Sequence, residues 1–277
     1  MQIAGHVIGV CSWSLRCKSI AQTVAAVKGL GLAHMQLALG GLIDAGDAAI
    51  EEAIKLLEQE QVQLTAGMIG FAGEDYSSIT TIRQTGGLMP DGEWVKRRKQ
   101  IEAAARVGKR LRLGVVTTHI GFVPGSNEQD YAKMVSRVRE AAGLFDEQGQ
   151  EFLFETGQEG ASELLQFLND VARPNVGVNF DPANMILYGA GNPVEAVRVL
   201  GRHVHHVHIK DAVGSSQPGV LWGEEVPFGK GDVDAAAFIE SLRVGGYRGP
   251  LVIEREAGTH RIADVQEAID VLRSVLI

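Results

Sequence analysis

The sequence predicts a single closed (β/α)8 barrel, an α/β fold, on three observations. Short apolar or β-branched runs alternate with helix-period segments along the whole chain, eight such pairs can be counted, and 277 residues hold them with no low-complexity linker or second composition regime. An open doubly wound sheet alternates in the same way, but eight units in this length suit a closed ring better. Residues 1–277 are accordingly read as one domain.

The expected strands cover residues 6–12, 33–38, 63–68, 112–118, 151–155, 177–180, 204–209 and 251–254, and a helical segment follows each. Apolar side chains recur at helix spacing in Ile20, Val24 and Val27, in Tyr131, Met134, Val135 and Val138, and in Ile262, Val265, Ile269 and Leu272. These stripes suit packing on a sheet and are read as core. Ser19 with Gln22 fits a capping box, and Asn192, Pro193 and Glu195 place a cap, a first-turn proline and an N3 acid in order. Two connections are longer than a minimal unit needs: residues 69–91, with Gly70, Gly73, Gly86, Gly87 and Pro90, and residues 213–232, with Pro218, Trp222 and Phe228-Gly229-Lys230-Gly231. Both follow strands on the same side of the ring and are candidate lids over its mouth.

Composition narrows the function classes. With 26 basic and 34 acidic residues the formal charge is -8, which repels a phosphate backbone, so nucleic acid is not an expected partner. The first ten residues lack a basic segment followed by a long apolar one, and no run of about 18 uncharged apolar residues occurs, so no membrane partner and a cytoplasmic location are expected. Cys11 and Cys17 have no further Cys or His cluster to complete a zinc site, and they read as packed thiols. Oligomers are common among such barrels, and a homo-oligomer fits the pattern although no stripe marks an interface.

Chemistry concentrates where strands five to eight end. Side chains alternate along a strand, so only its last residue or two can reach over the mouth, and Glu155, Asp181, His208 and Glu254 all stand there. One carboxylate in such a place is ordinarily just solvated. Three on successive apolar strands would repel one another, and a cation relieves the repulsion. Oxygen-rich ligation with one imidazole and no thiolate suits Mn²⁺ first, with Mg²⁺, Co²⁺ or Zn²⁺ as alternatives. Three anions around one dication leave a single net negative charge, which tolerates a neutral polyol better than a dianion. An ion here would act as a Lewis acid on a sugar carbonyl and its neighbouring hydroxyl, so that loss of the intervening proton gives a cis-enediolate. Glu155 and Glu254 can flank the substrate, one taking the proton and the other returning it.

Over essentially all eight units the chain resembles the xylose-isomerase-like TIM-barrel superfamily, often labelled sugar phosphate isomerase/epimerase, and within it the ketose 3-epimerases. The order Glu155, Asp181, His208, Glu254 carries the resemblance, together with Phe180-Asp181-Pro182-Ala183-Asn184 and His206-Val207-His208-Ile209-Lys210-Asp211. It implies that Glu155 and Glu254 are both metal ligands and the acid/base pair, while Asp181 and His208 are ligands only. Two positions depart from those epimerases: Asn184 stands where they usually have a substrate-binding histidine, and no arginine follows within residues 210–214.

His119, Trp13, Asn184 and Lys210 are the candidate substrate contacts. His119 points by alternation either at the substrate or into a neighbouring helix, Trp13 is an apolar wall or a packed rim aromatic, and Lys210 touches substrate or only snorkels. Gly229 and Gly231 either offer backbone amides to the substrate or form a tight turn before an Asp232 cap. His206 is expected one layer below His208, and His203 and His205 on the opposite face against helices. The leading expectation is therefore a metal-dependent isomerase or epimerase of a ketose or keto-sugar. Its alternatives are a lyase eliminating a leaving group from 3-keto-glycosides, an AP-endonuclease-like phosphodiesterase, and a non-catalytic barrel with a structural ion. The phosphodiesterase lacks its expected Asp-x-x-His and Asp-x-His ligands.

Overall fold

In a computed structural model that describes residues 1–276, eight parallel strands close into a ring. They are β1 (His6–Cys11), β2 (His34–Ala38), β3 (Gln63–Met68), β4 (Val115–Thr118), β5 (Glu151–Glu155), β6 (Val176–Phe180), β7 (Val204–Ile209) and β8 (Leu251–Ile253). Each pairs in parallel with the next, and β8 returns to β1 with Leu251 opposite Ile8, so the barrel is complete. A short strand, Gln2–Ile3, adds antiparallel to β1 outside the ring.

Closure covers both faces of the sheet, most completely at β6, which is buried at all five positions and carries no polar alternation apart from Asn179. Helices cover the outer face. Phe145 stacks on Phe152 of β5 with centroids 4.9 Å apart, and Phe238 on Phe180 of β6 at 5.7 Å. Strand β4 begins three residues later than the sequence suggested, because Arg112 takes up a left-handed φ of 57° as it leaves helix Asp91–Arg110 and turns the chain before it can extend. Asn192 caps its helix through Val194 and Glu195 as expected. Ser19 accepts from the Gln22 amide at 3.3 Å, but the Gln22 side chain bonds to Lys18 instead, leaving half a capping box.

Both long connections are ordered. Residues 69–91 contain helix Ile79–Thr85, and buried Arg97 holds their return by donating to the carbonyls of Thr85 and Gly87. Gly87 sits at φ 63° where any Cβ would lie 1.9 Å from the Ile120 carbonyl, so only glycine fits that crossing. The second connection folds into a hairpin, Asp211–Val213 against Glu224–Val226. Buried Asp211 ties its base by accepting from the amides of Ala212, Gly229, Gly231 and Val233. The Gly229 and Gly231 amides are thus spent within the loop. The cap of the following helix is Asp234 rather than Asp232, which instead accepts from Gly214, because the helix starts only at Ala235.

The two connections meet above the barrel. Ile79 and Ile82 from the first, Tyr188 from helix Pro182–Tyr188, and Phe122 and Trp222 form an apolar cluster separate from the main core. No helix among the described residues is long and apolar enough to cross a membrane.

Candidate metal centre

Asp181, His208 and the two glutamates converge. Each offers one donor atom within 4.8 Å of the others, and their exposures are 6% for Glu155, 4% for Glu254 and zero for Asp181 and His208. Nδ1 of His208 lies 3.4 Å from one oxygen of each carboxylate, Glu155 Oε1, Asp181 Oδ2 and Glu254 Oε2. That spacing is wider than a hydrogen bond and close to the ~3 Å between neighbouring ligands of a small dication with bonds of about 2.1 Å.

Three buried atoms in this cluster have no hydrogen-bond partner: Glu155 Oε2, Asp181 Oδ2 and His208 Nδ1. Buried polar atoms are nearly always satisfied, so unpaired atoms on three of the four converging residues fit an ion. The imidazole is oriented for it, since Nε2 lies 2.7 Å from Gln36 Oε1, an acceptor, and Gln36 is fixed by donating to Thr117 at 2.8 Å. Without an ion, burial works against charge on the imidazole, but the carboxylates outweigh it and hold the ring protonated, its pKa well above the usual range. With an ion bound the proton would stay on Nε2 and the Nδ1 lone pair would face the metal. Cys11 lies 3.7 Å from the same Nε2, on the side of the ring away from the Nδ1 that meets the three carboxylates, and burial pushes its thiol up to about 12.

Local structure sets each donor in place. Asp181 follows β6 and caps helix Pro182–Tyr188, accepting from the Asn184 amide at 2.9 Å, while its own backbone amide donates to Thr156 Oγ1 at 2.8 Å. Glu254 continues β8, its amide donating to Ile209. Its two oxygens are both occupied, Oε1 by the Trp13 indole and Oε2 by the Lys210 ammonium, each at 2.7 Å. Burial works to raise the Glu254 carboxyl, but Lys210 and then His208 outweigh it and hold the group well below the usual range. Asp181 is lowered by the same two neighbours against burial, and Glu155 by His119 and His208.

The candidate substrate residues are distributed around this cluster. His119 points inward, with Nε2 3.5 Å from Glu155 Oε2. Asn184 donates to Glu155 Oε1 at 2.9 Å. Lys210 is buried, and its three N–H groups reach Glu254 and Glu256 at 2.7 Å and Asn184 at 3.3 Å. Lys210 supplies a cation inside the ring of carboxylates and Glu256 a further anion, so the pair leaves the charge balance read from sequence unchanged. Trp13 meets His208 edge-on at 6.2 Å while bonding Glu254.

His206 lies a layer deeper, bonded to Asn179 at 2.7 Å and Thr65 at 3.2 Å. His205 pairs with Glu151 at 2.9 Å at the opposite rim instead of packing on a helix, because both residues sit where their strands begin. Sequence reasoning missed Gln36, Tyr76 and Glu256. Gln36 had a signal, a lone polar residue inside the apolar run Met35-Gln36-Leu37. Tyr76, whose ring lies edge-on 6.5 Å from His119, had none, because loop geometry alone brings it there.

A closed (β/α)8 barrel with a buried, oxygen-rich donor cluster over its C-terminal mouth defines the class. The chain belongs to the xylose isomerase-like TIM barrel family, whose sequence profile matches residues 24–275. A solved xylose isomerase domain protein from Planctomyces limnophilus is 35% identical with a TM-score of 0.88, each chain covered to 91%. The L-ribulose 3-epimerase of Methylomonas sp. (strain DH-1) is 27% identical over 236 residues, 78% of this chain and 77% of that one. A xylose isomerase-like TIM barrel protein from Mycobacterium smegmatis, solved in complex with magnesium, shares the fold at a TM-score of 0.76 and 16% identity, over 100% of this chain and 98% of its own.

Proposed function

We propose that the protein is a divalent-metal-dependent isomerase or epimerase of a ketose or related keto-sugar. The observation that carries this reading is the convergence of Glu155, Asp181, His208 and Glu254 in a buried site where three of their polar atoms lack a partner. The kinship with an L-ribulose 3-epimerase supports the substrate class. Those four residues would hold the ion, Mn²⁺ by preference, with Mg²⁺, Co²⁺ and Zn²⁺ as alternatives for the same donors. When bound, it would supply Lewis acidity to a sugar carbonyl and its adjacent hydroxyl, acidifying the C–H between them.

The protein's own groups then divide the work. Glu155 has one oxygen fixed by Asn184 and the other, Oε2, without a partner and facing His119, which suits it to take the proton. Glu254, gripped by Trp13 and Lys210, returns a proton on the other side. The buried surroundings keep bulk water from the carbanion. Metal analysis followed by proton-exchange NMR in deuterated water, over a panel of ketoses and 3-keto-glycosides, tests the reading. Solvent deuterium should enter one carbon next to the carbonyl; no incorporation into any of them by the metal-loaded protein sinks it.

One observation favours a second reading, a lyase on 3-keto-glycosides. Glu155 and Glu254 are held unequally, and elimination needs one base and one acid rather than two matched bases. Mass balance separates the two: conversion without mass change supports epimerisation, and release of an aglycone supports elimination.

A further inference from the structure

We propose that a cavity beside the mouth is a subsite for a neutral hydroxylated ring joined to the keto-sugar, so that the substrate is a glycoside rather than a free monosaccharide. The inference rests on the keto-sugar reading above. The cavity, about 650 Å³, lies between helix Ile79–Thr85, the segment after β4 and helix Pro182–Tyr188, and a second of about 620 Å³ adjoins it, sharing Arg83, Phe122 and Gln158. Both have the size of ligand sites, and a monosaccharide held at the donor cluster would leave them unused.

Two residues of the near wall belong to the segments that carry the cluster. Gln158 follows Glu155 by three residues and donates to the Tyr188 hydroxyl at 3.3 Å, and both side chains line the cavity. Tyr188 stands four residues after Asn184 on one helix, hence on the same face, and Asn184 touches Glu155. The cavity wall at Tyr188 therefore stands about one helical turn, roughly 6 Å along the helix, from Asn184. That is the reach of a substituent across one sugar ring.

Its lining selects the occupant. Arg83 lies flat over Phe122, its Cζ 4.0 Å from the ring centroid, and makes no ion pair among the described residues, leaving its N–H groups free for hydroxyls. Glu163 and Glu195 on the far side disfavour a phosphate or carboxylate, yet Glu195 can accept from a hydroxyl. Aromatic surface with a mixture of donors and acceptors, and no net cation, recognises a neutral ring bearing hydroxyl groups. A second sugar and a phenolic aglycone share that chemistry.

The test compares kcat/KM of wild type, Arg83→Ala and Phe122→Leu on a 3-keto-disaccharide, an aryl 3-keto-glucoside and a free ketose, with thermal melting as a check on folding. We expect a loss of about tenfold on one or both glycosides, mainly through KM, with the free ketose unchanged. The glycoside that suffers more identifies the second ring as sugar or aryl. An equal loss on all three, or none on the glycosides, overturns the subsite. If no carbonyl sugar exchanges its C–H, the proposed function fails instead. The subsite is then read by saturation-transfer NMR with phenyl glucoside, where ring contact present in wild type and lost in Arg83→Ala supports it, and absence of contact in wild type overturns it.

Discussion

Glu155 and Glu254 carry the same carboxylate into the same cluster, but their neighbours make them different tools. Glu155 keeps an uncommitted oxygen, so Glu155→Gln, which preserves shape and removes the base, should lower turnover by about 10²- to 10⁴-fold, while thermal melting in chelator, where ion binding plays no part, stays near that of chelator-treated wild type. Turnover near wild type on an identified substrate would end the acid/base assignment. Glu159, outside the donor cluster, offers a pH signature. Burial pushes its carboxyl up to about 7 from an ordinary 4.5, with the Val123 amide bonded to Oε1 at 2.8 Å. Its stabilising contribution is complete below pH 4.5 and is lost as pH rises through 7, because the folded state holds a proton that the unfolded chain has released. Glu159→Gln should therefore melt like wild type near pH 4.5 and gain up to about 3 kcal/mol above pH 7. Equal melting temperatures at pH 8 would contradict it. At this scale the convergence of Glu155, Asp181, His208 and Glu254 was legible, because strand alternation places the final residue of each run over the mouth. Gln36 and Asn184 act through contacts 25 or more residues away in sequence, with Thr117, His208 and Glu155, and no local pattern encodes those.

Among the elements, the hairpin Asp211–Val213 with Glu224–Val226 depends on one side chain. Asp211 gathers four backbone amides, so Asp211→Ala leaves them without an acceptor and should cost about 2–4 kcal/mol. Limited proteolysis should then cut within residues 214–223 faster than in wild type, and an unchanged cleavage rate would show that the loop is held by other means. A second fastening runs from the loop to the end of β8, where Arg255 pairs with Glu225 at 2.7 Å and with Asp264 at 2.8 Å. Both long connections could be recognised from length and glycine content. Their internal helix and hairpin could not, since Ile79–Thr85 spans only seven residues and each hairpin strand three, too few for periodicity to declare itself.

For the whole molecule, an ion held only by the folded barrel adds stability by mass action. Stripping it with chelator should lower the melting temperature by about 5–10 °C relative to protein at a hundredfold excess over the dissociation constant, and adding Mn²⁺ back should restore it. A melting curve indifferent to both treatments would argue against the centre. The barrel was legible because eight strand-helix units leave few other closed solutions, and the strand start that shifted by more than one residue did so at a single left-handed residue, Arg112. The donors come from four consecutive strands of the C-terminal half, while Gln36, which aims the imidazole, comes from β2. A nascent chain that has not yet reached residue 254 therefore presents at most three of the four, and its histidine stays unaimed until the two halves join. An ion bound by all four would tie the closing strand to its three predecessors, so the proposed centre would also act as a clasp on the sealed ring.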